Sequence, residues 1–191
     1  ESDGFIEILE PTKIGQFFVK KSAEITQGTK VFAKGEIINE KMIASLASFG
    51  YAKVKVSKRP TMSILATGSE LVAINQTPSQ DEIRDSNSAT LKAFAEKFAN
   101  IENVELIKDD LETIKSKIKN QKSQIIILTG GVSMGDYDFT KPALRELGAE
   151  IFFDKVCLKP GKPTVFAKLG EQLIFGLPGN PVSVIVTFLL F

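Results

Sequence analysis

Histidine is absent from this sequence, and cysteine occurs once, at Cys157. The first absence excludes a Ser-His-Asp triad, a Cys-His pair and His-ligated zinc. The second excludes a disulfide framework or a Cys₄ metal site within the chain, and it fits a reducing cytoplasm. Excess charge of either sign is lacking too: 24 Lys and Arg against 23 Asp and Glu leave a net charge of +1. No electrostatic case follows for nucleic acid or an anionic membrane as partner. The apolar run at 182–191 falls short of the roughly 20 residues that span a bilayer, and no signal peptide is visible at the start. Residue 1 is Glu rather than Met, and the sequence stops on apolar residues, so a truncated piece is expected. Acid, base or metal chemistry must come from Asp, Glu, Lys, Arg, Tyr or hydroxyls. What is present is a hydrophobic fraction of 43% over 191 residues, enough to build a core in one large or two small domains.

Glycine and proline divide the chain into two registers. Residues 1–58 read as short strands and turns, with 17–19 and 30–33 strand-like and Gly15, Gly28 and Gly35 as punctuation. Asn39 is placed to cap a helix to about Phe49, with Met42, Ile43, Leu46 and Phe49 on one face and Gly50 as its stop. A strand over 52–56 is expected to turn Val54 and Val56 inward, and Arg59-Pro60 reads as a hinge or edge. From Met62 strands and helices alternate through a second domain, 59–191. Strands are expected at 62–66, 104–107 and 124–128, and helices opening at Ser86 or Ser88, after Asp110, and at Thr140-Lys141-Pro142 read as N-cap, N1 and N2. Further strands over 150–157 and 163–175 precede a last helix that Asn180 caps and Pro181 starts. This alternation predicts the α/β class: a three-layer, mainly parallel sheet with helices on both faces, preceded by a partial β-rich segment. Ligands of such sheets lie beyond the carboxyl ends of the strands. That puts loops 67–70, 108–110, 129–138 and 176–180 on one rim.

Three loops could carry chemistry. The first leaves a buried strand through Thr129, Gly130, Gly131, Val132 and Ser133, adds Gly135, and crowds Asp136 and Asp138 before a proline-marked helix. Glycines bare the backbone and a helix start adds partial positive charge, a combination that suits phosphate. A glycine-rich turn with polar caps is the alternative, and both stay open here. The second loop, Gly176 to Ser183, again joins a strand to a helix; a tight turn explains Pro178 and Pro181 but not both glycines. The third holds Lys159 and Lys162 on a rigid Pro-Gly turn, either a solvated β-turn or a cationic clamp on phosphate. Of the acids, Asp81 and Glu82 are expected to be solvated, and capping accounts for Asp110. Asp136 and Asp138, beside a phosphate loop, suit Mg²⁺ held through oxygens and waters.

Five motifs now stand in order: ILATGSEL from Ile64, IRDSNS from Ile83, TGGVSMGDYDF from Thr129, KPGKP from Lys159 and GLPGNPVS from Gly176. Together they resemble the molybdopterin molybdenumtransferases, the MoeA family, and the similar E domain of gephyrin. The likeness is strong over 59–191 and weaker over 17–58. It implies an enzyme of molybdenum cofactor biosynthesis that binds adenylylated molybdopterin and molybdate, cleaves the adenylate with Mg²⁺ and releases AMP. It implies a cytoplasmic homodimer whose α/β domain is the pterin-binding one. A C-terminal barrel, an inserted domain and most of an elongated N-terminal part would lie outside this sequence. Since the family's cleft is completed by the elongated part of the partner subunit, this piece is expected to bind the pterin without turning over.

The resemblance also distributes roles. Substrate contacts fall to Thr67, Gly68, Ser69 and Glu70, to Asp85, Ser86 and Asn87, and to Thr129, Gly130, Gly131, Val132, Ser133 and Gly135. Lys141, Lys159, Pro160, Gly161, Pro178, Gly179, Asn180 and Ser183 complete the set. Asp136, Asp138 and Lys162 would be catalytic, the two acids holding Mg²⁺ or orienting its water. Molybdate, an oxyanion, wants lysines and hydroxyls, so Lys162 and Ser183 are its candidates. The molybdenum ligands would be substrate sulfurs, so the lack of His and of further Cys is no obstacle. This sequence departs from the family where Ser69 replaces an acid, where Ser22-Ala23-Glu24-Ile25 keeps one acid of two, and where Val19 replaces an arginine. Adenylyl transfer to molybdopterin, on the same fold, is the rival within enzymes; residues 1–58 and KPGKP favour the molybdenum transferase. A gephyrin-like scaffold is the rival outside them, and the presence of Asp136, Asp138 and Lys162 argues against it.

Overall fold

The computed structural model describes residues 4–131 and 139–191, which divide into two units, Glu1–Val56 and Ser57–Phe191. In the first unit, α1 (Glu40–Ser48) forms where its caps require. The Asn39 side chain accepts the Met42 N–H at 3.1 Å, and Gly50 takes φ 82° beyond the helix end. The strands expected at 17–19, 30–33 and 52–56 are not formed. Tight turns break the backbone instead, with Phe18 N–H bonded to Gly15 and Thr29 N–H to Thr26. Phe17 and Ser22 take positive φ of 59° and 67°, which no strand accommodates. Val54 and Val56 face solvent rather than inward. Among the described residues of this unit none is buried.

The second unit follows the strand–helix alternation. Its elements are β1 (Thr61–Thr67), β2 (Leu71–Val72), β3 (Ile83–Arg84), α2 (Ser86–Ala95), β4 (Asn100–Ile107) and α3 (Leu111–Asn120). Then come β5 (Ile125–Thr129), α4 (Thr140–Glu146), β6 (Glu150–Phe153), β7 (Val165–Leu169), β8 (Gln172–Leu177) and α5 (Pro181–Leu190). Six strands make one sheet in the order β4-β1-β5-β8-β7-β6, and β2 pairs with β3 in a small parallel ribbon. The pairs β4–β1, β1–β5 and β5–β8 are parallel; β8–β7 and β7–β6 are antiparallel. The expected single strand over 163–175 is thus a hairpin. Gly170, at φ 59°, and Glu171 form a two-residue turn between paired Leu169 and Gln172.

Period-two alternation assigns the central strands to two cores. Leu65, Ile126, Leu128 and Ile174 pack with Ile114 and Ile118 of α3 and Ala143 and Leu144 of α4. Met62, Ile64, Ile127 and Leu177 pack on the other face with Leu91 and Ala95 of α2 and Val184 of α5. Each fully buried Ile or Leu contributes about 1.5–3 kcal/mol, so the central strands anchor this unit. No described helix is long and apolar enough to cross a membrane.

Candidate functional site

The strand order reverses between β1 and β5. From β1 the chain crosses through α2 to β4, whereas from β5 the sheet grows the other way to β8. Such a switch point opens a crevice at the carboxyl ends of the strands. A crevice of about 80 Å³ lies there, lined by Thr67, Glu70, Asp85, Asn87, Gly130 and Gly179 among others. A second cavity of about 80 Å³, between Met62, Phe98, Phe175 and Phe191, is lined almost wholly by apolar side chains and offers little chemistry.

Close approach explains the glycines. A Cβ on Gly130 (φ 87°) would lie 1.8 Å from the Thr67 carbonyl oxygen, so no other residue fits against the end of β1. A Cβ on Gly131 (φ 56°) would lie 3.2 Å from Asp109 Oδ1 and 3.5 Å from Thr140 Oγ1. Around Gly131, therefore, gather three oxygen-bearing side chains. Thr67 Oγ1 donates to Asp109 Oδ1 at 2.7 Å, and the Thr140 hydroxyl is fully buried without a hydrogen-bond partner among the described residues. Thr140 was expected to cap α4, but the helix begins one residue earlier. Phe139 is the N-cap, and Thr140, already inside the helix, makes no capping bond.

The expected contributors separate into groups. Thr67, Glu70, Asp85, Ser86, Asn87, Gly130 and Gly179 line the crevice; Gly68 and the exposed Ser69 do not. α2 opens at Ser86, one of the two serines expected, with Asp85 as its N-cap, Oδ1 accepting the Ser88 N–H at 3.0 Å. Thr129 and Asn87 are hydrogen-bonded to each other, and Pro178 accepts from Thr129. Asn180 caps α5 through the N–H groups of Val182 and Ser183, and Ser183 is buried beneath. Lys159, Pro160 and Lys162 are exposed. Because β7 runs against β8, the 154–164 loop reaches the same rim, and Gly161 packs there on Thr187 of α5. Neither lysine makes an ion pair among the described residues. Lys141 is half-buried at the second position of α4. Val132, Ser133, Gly135, Asp136 and Asp138 lie outside the described residues.

Asp109 was expected on the rim with loop 108–110, but without a role in the site. It follows the strand beside β1, and that adjacency was the available signal; its neighbour Asp110 has the capping role instead. Asp110 accepts the Thr113 N–H at 2.8 Å, and this bond holds its carboxyl below the usual carboxylate range. Among the described residues no group of three or more acids, Cys or His converges. The donors around Gly131 are nevertheless all hard oxygens, the type Mg²⁺ takes while keeping several waters.

Comparison with known proteins gives the family and the same fold. The family described as a probable molybdopterin binding domain matches residues 63–191. The molybdopterin molybdenumtransferase of Staphylococcus aureus (strain MSSA476) is 38% identical over 194 aligned positions, covering 100% of this chain and 46% of the relative. Its counterpart in Staphylococcus epidermidis (strain ATCC 12228) is 37% identical over 171, covering 88% and 41%. A solved structure of the molybdopterin biosynthesis MoeA protein from Pyrococcus horikoshii superposes with a TM-score of 0.76 at 30% identity, covering 90% of this chain and 43% of that one. The chain spans about half the length of the curated relatives it matches.

Proposed function

Because this chain belongs to the molybdopterin-binding domain family, we propose that it serves molybdenum cofactor biosynthesis as part of a molybdenum transferase. Its substrates are adenylylated molybdopterin, taken at the β1/β5 crevice, and molybdate, taken beside the lysines of the 154–164 loop. The observation that carries this reading is the crevice at the switch point, where Thr67, Glu70, Asp85, Asn87, Gly130 and Gly179 converge beyond the carboxyl ends of β1 and β5.

Each group has work that its chemistry suits. Gly130 and Gly131 admit the phosphate, and the Glu70 carboxylate of the crevice faces the nitrogen-rich ring. Cleaving the phosphoanhydride of the adenylate concentrates negative charge on the oxygens of both products. Lys159 and Lys162, exposed on the same rim, neutralise it. Asp109, Thr67 and Thr140 offer oxygens to Mg²⁺, with Asp136 and Asp138 as further candidates. When bound, the ion supplies a Lewis acid to the same phosphate oxygens.

Calorimetry with adenylylated molybdopterin tests the binding half: this chain is expected to take it up, and Gly131→Val to lose it while keeping its circular dichroism. AMP release tests the chemistry on the whole protein, where Lys162→Ala should lower turnover on the order of 100-fold. A wild-type chain that gives no binding heat would overturn the reading.

A further inference from the structure

Resting on that reading, we infer that Asn87 is a positioning residue, which holds the glycine loop against the Pro178–Gly179 turn, and not a hydrogen-bond donor to substrate. Its side chain is only 8% exposed. Nδ2 donates to the Gly179 carbonyl at 2.8 Å and to Thr129 Oγ1 at 3.3 Å. A backbone carbonyl only accepts, so the amide nitrogen must face this pair, and both of its hydrogens are then spent. Thr129 Oγ1 in turn donates to the Pro178 carbonyl at 3.4 Å. The β5–β8 ladder ends at the pair Thr129–Leu177. Asn87 supplies the next rung from outside the sheet, on the first turn of α2. Beside that rung a Cβ on Gly179 would lie 3.7 Å from the Gly130 Cα, so the two loops run side by side. Asn87 thus fixes the spacing of the two loops before any ligand arrives.

Two substitutions separate this role from a ligand contact. Asn87→Ala removes the rung. Asn87→Asp keeps the shape but sets a carboxylate against the Gly179 carbonyl, which it cannot satisfy. Burial among acceptors raises the pKa of such a carboxyl, and once protonated it recovers one donor. Acidification should therefore repair Asn87→Asp and leave Asn87→Ala unrepaired. Glu70, Asp85 and Arg84 face the same crevice, and the wild-type chain with all three is the control for their titration.

The experiment follows amide hydrogen exchange of the ligand-free chain at Gly130, Gly131, Gly179 and Asn180, together with calorimetric molybdopterin binding, from about pH 8 to about pH 5. Both variants should exchange about tenfold faster at these amides and bind about tenfold more weakly, the worth of one such hydrogen bond, with β1 and β5 still protected. In Asn87→Asp alone both effects should shrink as the pH falls. Unchanged exchange in both variants overturns the inference, as does an Asp variant that matches Ala at every pH. If Asn87→Ala also loses the protection of β1 and β5, Thr129→Val, which removes the intermediate hydroxyl at constant shape, is read by the same criteria. A wild-type chain that binds no molybdopterin sinks the functional reading while the exchange data still judge Asn87.

Discussion

Gly130 and Gly131 are adjacent but not equivalent. An added Cβ at Gly130 meets backbone at 1.8 Å, whereas at Gly131 it meets side-chain atoms at 3.2 Å. Gly130→Ala should cost at least about 3 kcal/mol, from a left-handed backbone plus a clash that only movement of β1 relieves. Gly131→Ala should cost about 1–2 kcal/mol and act mainly on ligand binding. Urea unfolding of the two variants checks the order, and equal losses would refute it. From the sequence these residues look alike, because the atom that separates them, the Thr67 oxygen, belongs to a neighbouring strand. Asp109 was placed on the rim but given no role for a similar reason: beside a helix-capping acid it reads as a solvated charge, and only the sheet brings it to Thr67 and Gly131. The pair of glycines and the lysine loop were legible because each breaks what a plain connector needs.

Elements were legible where their ends carry side-chain chemistry. Asn39, Asp110 and Asn180 all cap the helices they were expected to cap, and α3 gains further from Lys117, which pairs with Glu105 on β4. Strands without such marks were read less well. The β7–β8 hairpin hid in one apolar run because Gly170-Glu171 is short, and the segments at 17–19, 30–33 and 52–56 have strand composition without a partner ladder. The carboxyls of Asp110 and Glu105 are both held low, the first by the Thr113 N–H and the second by Lys117. Their folded pKa values lie below the unfolded ones. Their contribution is therefore complete above the unfolded values and is lost as pH falls through the folded ones. Asp110→Asn keeps a capping oxygen and removes the titration. Melting temperatures should show the wild type losing stability more steeply than this variant between about pH 5 and about pH 3, and parallel acid limbs would refute the assignment.

At the scale of the whole molecule, burial is confined to one unit. No described residue of the first unit is buried, whereas the central strands of the second are sealed on both faces. Amide exchange should thus be fast throughout 4–56, α1 included, and slowest at Ile64, Leu65, Ile126 and Ile127. Strong protection in α1 would contradict this. The α/β class was legible because strand–helix alternation and uninterrupted apolar strands admit few other arrangements; the first unit was not, since composition alone supplies no partner for an extended segment. The sheet order has a consequence in time as well as in space. The crevice draws on β1, β5 and the turn after β8, so its pieces emerge one after another over more than 100 residues of synthesis. Parallel pairing between distant segments closes slowly, and no crevice exists until β8 has joined β5. The substrate therefore cannot template early folding of the nascent chain. It can only bind the finished unit and, by mass action, hold it folded.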